Sequence, residues 1–130
     1  MKIYQGIDIV EISKFKNVAL KNKNFILDIF TEREREYCLA RKDPHTHFAG
    51  RFAVKEASLK ALGIGMSGAG IDHSFQEIET VPGPSGKPVL SFTGWVKKMS
   101  SKRKINQFTV SISHSADYAV ASVILVGDKN

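Results

Sequence analysis

Glu56 and Lys60 are the residues of this chain best placed to do chemistry together. They stand four apart in the stretch Gly50-Arg51-Phe52-Ala53-Val54-Lys55-Glu56-Ala57-Ser58-Leu59-Lys60-Ala61-Leu62-Gly63. The stretch is Ala-rich, has no internal Pro and stops at a Gly suited to a left-handed cap, so it is expected to be a helix. At roughly 100° per residue, Phe48, Phe52 and Leu59 share one side and Val54, Ala57 and Ala61 another. A helix apolar on several sides is expected inside the protein, yet Glu56 and Lys60 project together from a strip otherwise made of Ala49 and Ala53. Two readings of the pair compete. One is a surface ion pair worth about 0.2–0.5 kcal/mol. The other is a site, in which a carboxylate and an ammonium with small neighbours hold a hard metal and the phosphates it neutralises. Asp8 poses the same choice inside Gly6-Ile7-Asp8-Ile9-Val10. It is either a cap or turn acid at a strand end, or a carboxylate aimed at a cation.

The elements that must position these residues follow from periodicity. Lys2 to Val10 alternates as a strand, with Ile3, Gln5, Ile7 and Ile9 on one face and Tyr4, Gly6, Asp8 and Val10 on the other. Glu11 to Lys21 reads as a short amphipathic helix with Ile12, Phe15, Val18 and Ala19 inward. Phe25, Ile26, Ile29 and Phe30 form a hydrophobic knot. Thr31-Glu32-Arg33-Glu34 is a capping box that opens a helix to about Arg41, burying Tyr37, Leu39 and Cys38. Lys42-Asp43-Pro44 breaks it, and His45 to Gly63 carries the central helix. Phe75 to Val81 alternates as a strand, Pro82 to Pro88 is a tight loop, and Val89 to Phe92 is a short strand. Thr93 to about Lys102 is expected to be helical. Phe108 to Ser113 and Tyr118 to Val126 form a hairpin turning through His114 to Asp117. The sum is an α+β domain: an N-terminal strand, helices and a mainly antiparallel sheet.

The 130 residues fit one domain with a modest core, and the composition is that of an ordinary globular protein. The net charge of +6 makes an acidic partner or ligand plausible. Cys38 is the only cysteine, so no intrachain disulfide can form, which is compatible with a reducing cytoplasm. The N-terminus lacks the apolar core of a signal peptide and no stretch is long enough to span a bilayer, so a cytoplasmic protein is expected.

Three segments taken together carry a resemblance: Gly6-Ile7-Asp8-Ile9-Val10, Gly50 to Ala61, and Val110-Ser111-Ile112-Ser113-His114-Ser115. In this order and at this length they resemble holo-(acyl-carrier-protein) synthase, the small bacterial type of 4′-phosphopantetheinyl transferase. Gly86-Lys87-Pro88 also fits. The resemblance implies one 4′-phosphopantetheinyl transferase domain over residues 1–130, assembled as a homotrimer with each active site between neighbours. It implies Mg²⁺-dependent transfer of phosphopantetheine from coenzyme A to a serine of an apo acyl carrier protein, releasing adenosine 3′,5′-bisphosphate, in fatty acid biosynthesis.

Residue by residue, the resemblance makes Asp8 and Glu56 the Mg²⁺ carboxylates, with Lys60 pairing with the pyrophosphate. Arg51 and His114 match contacts to the coenzyme phosphates. The loops 63–68 and 86–88, with Gly63, Lys87 and Pro88, match segments near the nucleotide. Lys55 belongs to the motif without a clear ligand contact. Glu56 or a water would take the serine proton. Carrier docking falls to the basic first helix through Lys14, with Lys21, Lys23 and Phe25 nearby. Asn24 departs from the family, in which Arg is common there, and Lys23 can compensate.

The remaining signals are weaker. Gly63-Ile-Gly-Met-Ser-Gly68 spells a dinucleotide fingerprint, but a helix precedes it where a strand is required. The Pro82–Pro88 loop has the wrong glycine spacing for a phosphate-cradling loop, and Pro88 stands where Ser or Thr is needed. His45 and His47 have no accompanying cysteine or acid cluster, so zinc is disfavoured. His73 reads as a loop residue, and Trp95 and the phenylalanines as core. A nucleic-acid-binding protein is the runner-up, on net charge and Lys102-Arg103-Lys104. It lacks any recognition motif and leaves Asp8 and Glu56 unexplained.

Overall fold

A computed structural model describes residues 1–64 and 74–129. The elements are β1 (Lys2–Glu11), α1 (Ile12–Lys21), α2 (Phe25–Ile29), α3 (Glu32–Leu39), α4 (Pro44–Ala61), β2 (Ile78–Pro82), β3 (Pro88–Phe92), α5 (Gly94–Lys102), β4 (Ile105–Ser115) and β5 (Tyr118–Gly127). The strands form an antiparallel three-stranded sheet, β1-β5-β4, and a separate antiparallel hairpin, β2-β3. The fold is therefore α+β, with α4 as its axis.

Helix α4 is buried on two sides because its apolar residues wrap most of its circumference. Val54, Ala57 and Ala61 meet Ala121, Val123 and Leu125 of the sheet in one core, while Phe48 and Ala49 meet Phe15, Phe30 and Cys38 in another. Phe15 anchors the second core, with its ring 5.6 Å from those of Phe25 and Phe52. Helix α4 lies very close to β1. A Cβ added to Gly6 would lie 1.9 Å from the Ala57 carbonyl oxygen and 2.8 Å from the Ala61 nitrogen. Only glycine on the strand, opposite alanines on the helix, permits this contact. Helix α4 ends in a Schellman motif, with Gly63 at φ 72°, its N–H on the Lys60 carbonyl and the Ile64 N–H on Leu59.

Several local expectations are corrected. Leu39 is 64% exposed, because α3 turns only Cys38 and Glu34 into the core. Val18 is 43% exposed, lining a cleft beside α1 and not a core. The strand expected from Phe75 starts at Ile78, because Ser74 to Glu77 is spent on a turn closed by the Glu77 N–H on Ser74. The hairpin turn is tighter than expected, only Ala116 and Asp117, with Ala116 in the left-handed region. The glycine-rich stretch 65–68 and His73 lie outside the described residues. No described helix is long and apolar enough to cross a membrane.

Candidate active site

Asp8 lies on the inner face of β1, opposite Ala121. The Gly6 contact lays α4 so close to β1 that residues one turn apart on the helix reach it. The Lys60 ammonium donates to Asp8 Oδ1 at 2.8 Å and to the Ile7 carbonyl at 3.2 Å. Glu56 lies one turn earlier on the same helical strip. Burial raises the pKa of Glu56 first, the Asp8 charge raises it further, and Lys60 opposes both. Two carboxylates and an ammonium thus share one partly desolvated edge. The two carboxylates also line a cleft of about 450 Å³ with Phe15, Val18, Phe25, Phe52 and Lys14.

Paired hard carboxylates are a donor set that Mg²⁺ accepts, since it binds through one or two carboxylates and keeps its other positions for water and phosphate. No cluster of three or more His, Cys, Asp or Glu side chains suited to a metal occurs among the described residues. The set at this edge is accordingly a two-carboxylate one, which suits Mg²⁺ and not a structural zinc.

Arg51 and His114 are brought together elsewhere. Arg51 is five residues before Glu56, about 140° around the helix and 7.5 Å along it, so it faces β4 instead of β1. It is 6% exposed, its guanidinium lies 4.3 Å from the Tyr37 ring centroid, and its Nε has no hydrogen-bond partner among the described residues. A pocket of about 170 Å³ is lined by Tyr37, His47, Arg51, Gly86, Pro88 and His114, with Pro82 and Ile112. Gly86 sits at φ 85° in the β2–β3 turn, which brings that loop to the pocket mouth. Lys87 is exposed and is not among the lining residues, whereas Pro88 is. Gly63 lies at the far end of α4, as its cap.

The sheet explains the separation. Asp8 and Ile112 both pair with Ala121, and Val10 and His114 both pair with Ala119. Strands β1 and β4 therefore stand roughly 10 Å apart on either side of β5. The carboxylates occupy the β1 edge and the cationic pocket the β4 edge.

Two features escape sequence reasoning. Lys55, one residue from Glu56, is fully buried and donates to Glu34 Oε1 at 2.7 Å, to the Phe75 carbonyl at 2.7 Å and to the Ile78 carbonyl. Glu34 also accepts from the Thr31 and Thr80 backbone N–H groups, each at 3.0 Å. Burial pulls the Lys55 pKa down while Glu34 holds it up. This hub ties α3, α4 and β2 together, and Lys55 is structural here. His47, half of a His-x-His pair in the sequence, stands beside His114 and Arg51. Its spacing of four before Arg51 on one helix was the available signal. Cys38 offers no nucleophile, as burial pushes its thiol up to about 12.

Known proteins resemble this chain over nearly its whole length. A model of the 4′-phosphopantetheinyl transferase superfamily matches residues 5–123. The holo-[acyl-carrier-protein] synthase of Caldanaerobacter subterraneus subsp. tengcongensis is 38% identical over 130 residues, covering 100% of this chain and 99% of that one. The enzyme of that name from Syntrophotalea carbinolica is 44% identical over 124 residues, covering 95% and 94%. Among solved structures, the Chronobacterium ammoniagenes ACPS–CoA complex superposes with a TM-score of 0.86 at 28% identity, over 99% of this chain and 100% of that one. The Helicobacter pylori holo-[acyl-carrier-protein] synthase in complex with coenzyme A superposes at 0.78 and 30% identity, over 94% and 99%. With fold, length and sequence in agreement from end to end, the chain belongs to the 4′-phosphopantetheinyl transferase superfamily, in its holo-[acyl-carrier-protein] synthase family.

Proposed function

We propose that this protein, acting as one domain over residues 1–130, transfers 4′-phosphopantetheine from coenzyme A to a serine of apo acyl carrier protein, Mg²⁺-dependently and in the service of fatty acid biosynthesis. The observation that carries the reading is the meeting of Asp8, Glu56 and Lys60 on the β1 edge, beside a cleft that also presents Lys14 and Phe25. Relatives of the same fold are known bound to coenzyme A.

In this reading the serine oxygen attacks the β-phosphorus in line. A new phosphorus–oxygen bond forms, the bond to the bridging oxygen breaks, and adenosine 3′,5′-bisphosphate leaves. Mg²⁺ held by Asp8 and Glu56 would supply Lewis-acid neutralisation of the pyrophosphate charge. Lys60, whose side chain is 55% exposed, exchanges Asp8 for the pyrophosphate as the ligand enters and stabilises the leaving oxygen. Glu56, or a water beside it, takes the serine proton. The apolar wall of the cleft orients the phosphopantetheine chain, so positioning supplies much of the rate. Arg51, His114 and the Gly86–Pro88 turn bind coenzyme phosphates. Lys14, with Lys21, Lys23 and Phe25, receives the acidic carrier.

A homotrimer belongs to the same reading. The two half-sites lie on opposite edges of one sheet, so a coenzyme contacting both is better served by edges from two neighbours. The outer face of that sheet supports such an assembly: Ile3, Ile7 and Ile9 are 59%, 59% and 62% exposed.

Intact-protein mass spectrometry tests the reaction. Apo acyl carrier protein incubated with this protein, coenzyme A and Mg²⁺ gains the mass of one phosphopantetheine, and chelator prevents the gain. No gain across several carriers, with folded protein, rejects the reading.

A further inference from the structure

The pocket on the β4 edge is small and cationic. At about 170 Å³ it is well under the roughly 300 Å³ at which pockets begin to hold whole small molecules, so it is a seat for a single group. Among the described residues no carboxylate lines it. Arg51 supplies a guanidinium over the Tyr37 ring, with a buried Nε that has no partner among the described residues. His47, one helical turn before Arg51, lines the same pocket, its ring 6.0 Å from that of Tyr37 and 6.3 Å from that of His114, both edge-on. Two imidazoles and a guanidinium converging on one small space leave a multiply charged anion as the fitting occupant.

The phosphates of the coenzyme are not equivalent in this respect. A bridging pyrophosphate must leave a pocket by two ends, whereas a terminal monoester needs only one entrance and carries up to two negative charges near neutrality. We propose that His47 is a further phosphate-binding residue of this protein, closing with Arg51 and His114 around the terminal phosphate monoester of the coenzyme nucleotide. The proposal rests on the coenzyme A reading above.

It carries a pH dependence. The charged and titratable groups around His47 are Tyr37 and Arg41 from α3 and the turn after it, Asp43 and Arg51 from the ends and body of α4, and His114 from β4. Burial and the positive charge of Arg51, with His114 and Arg41 behind it, hold His47 low in the free protein, and Asp43 only partly offsets them. A phosphate dianion reverses the local field, so His47 takes up a proton as the ligand enters. By linkage, affinity then falls as pH rises.

Titration calorimetry on the full chain tests this, with coenzyme A and 3′-dephospho-coenzyme A as probes. Measurements run at pH 6 and pH 8, in two buffers of different ionisation enthalpy so that proton uptake is counted. His47→Phe keeps a ring against Tyr37 and His114, and His47→Gln is the second variant should the first fail to fold. Wild-type protein takes up a fraction of a proton more than the variant. The variant loses roughly tenfold or more in coenzyme A affinity at pH 6, the weight of one charge-assisted hydrogen bond. It loses less at pH 8, and binds dephospho-coenzyme A as wild type does. Equal coenzyme A affinity of variant and wild type at pH 6, or an equal loss for both probes, overturns the role of His47 while leaving the transferase reading intact. Failure of the wild type to bind coenzyme A at all overturns both.

Discussion

Glu56 shows how a single side chain is held in a state its fold would rather avoid. Its pKa is raised in the folded protein, by burial and by Asp8, relative to the unfolded chain. A raised carboxylate contributes stability that is present below the ordinary carboxylate pKa and is lost as pH rises through the raised value. At neutral pH and without metal, ionised Glu56 therefore weighs against folding, as expected of a group kept charged for chemistry. Glu56→Gln should raise the melting temperature at pH 7 in chelator, and the gain should vanish by about pH 4, where the wild-type carboxyl is itself protonated. The same variant should lose Mg²⁺-dependent carrier modification while keeping its far-UV circular dichroism. Wild-type turnover in this variant would remove Glu56 from the site.

Between elements, the decisive contact is β1 against α4. Gly6 lets the helix backbone reach the strand, and that proximity joins Asp8 to Lys60 and Glu56. Gly6→Ala should force the helix away, costing about 1–3 kcal/mol by overpacking, measured by urea unfolding. Turnover should fall by far more than stability explains, because Asp8 no longer meets its partners. Near-normal turnover in a folded Gly6→Ala protein would deny that this approach builds the site. The opposite face of α4 is secured by the Lys55–Glu34 hub, which removes freedom of rotation from the helix that carries Glu56. Helix α1 is held from outside its own sequence: Glu11 makes no cap, and Asp117 of the β4–β5 turn accepts from the Ser13 N–H at 3.0 Å and hydroxyl at 2.5 Å. The hairpin that presents His114 thus also seats the helix that presents Lys14.

Charge and exposed apolar surface act over the whole molecule. With a net charge of +6 and Lys14 exposed at the mouth of the carboxylate cleft, docking of an acidic carrier should be electrostatic. Lys14→Glu should raise the Michaelis constant for the carrier and flatten its salt dependence, with the constant for coenzyme A unchanged. An unchanged carrier constant would place the docking surface elsewhere. Ile3 tests assembly without touching either half-site, since it lies on the outer sheet face opposite Val126. Ile3→Asp should shift the species seen by light scattering from trimer to monomer and lower turnover with it. A monomeric wild type would end the inter-subunit reading.

Much of this was legible in the order of the residues, because local physics is written locally. The Thr31–Glu34 capping box, the left-handed Gly63 and the period of α4 depend only on near neighbours, and each is present. Asp8, Glu56 and Lys60 were readable as candidates because acids and a lysine in apolar surroundings demand a reason. What the sequence could not carry was which distant residue answers which. Ile3, Ile7 and Ile9 read as one apolar face, but only the packing of α4 on the Gly6 side leaves that face outside. Lys55 and Glu56 are adjacent in the motif, yet a rotation of about 100° sends one to a buried carboxylate and the other to the cleft. His47 looked idle until β4 brought His114 to it. Helical and strand periods set the direction in which a side chain leaves its own element. Only the tertiary structure decides what it meets there.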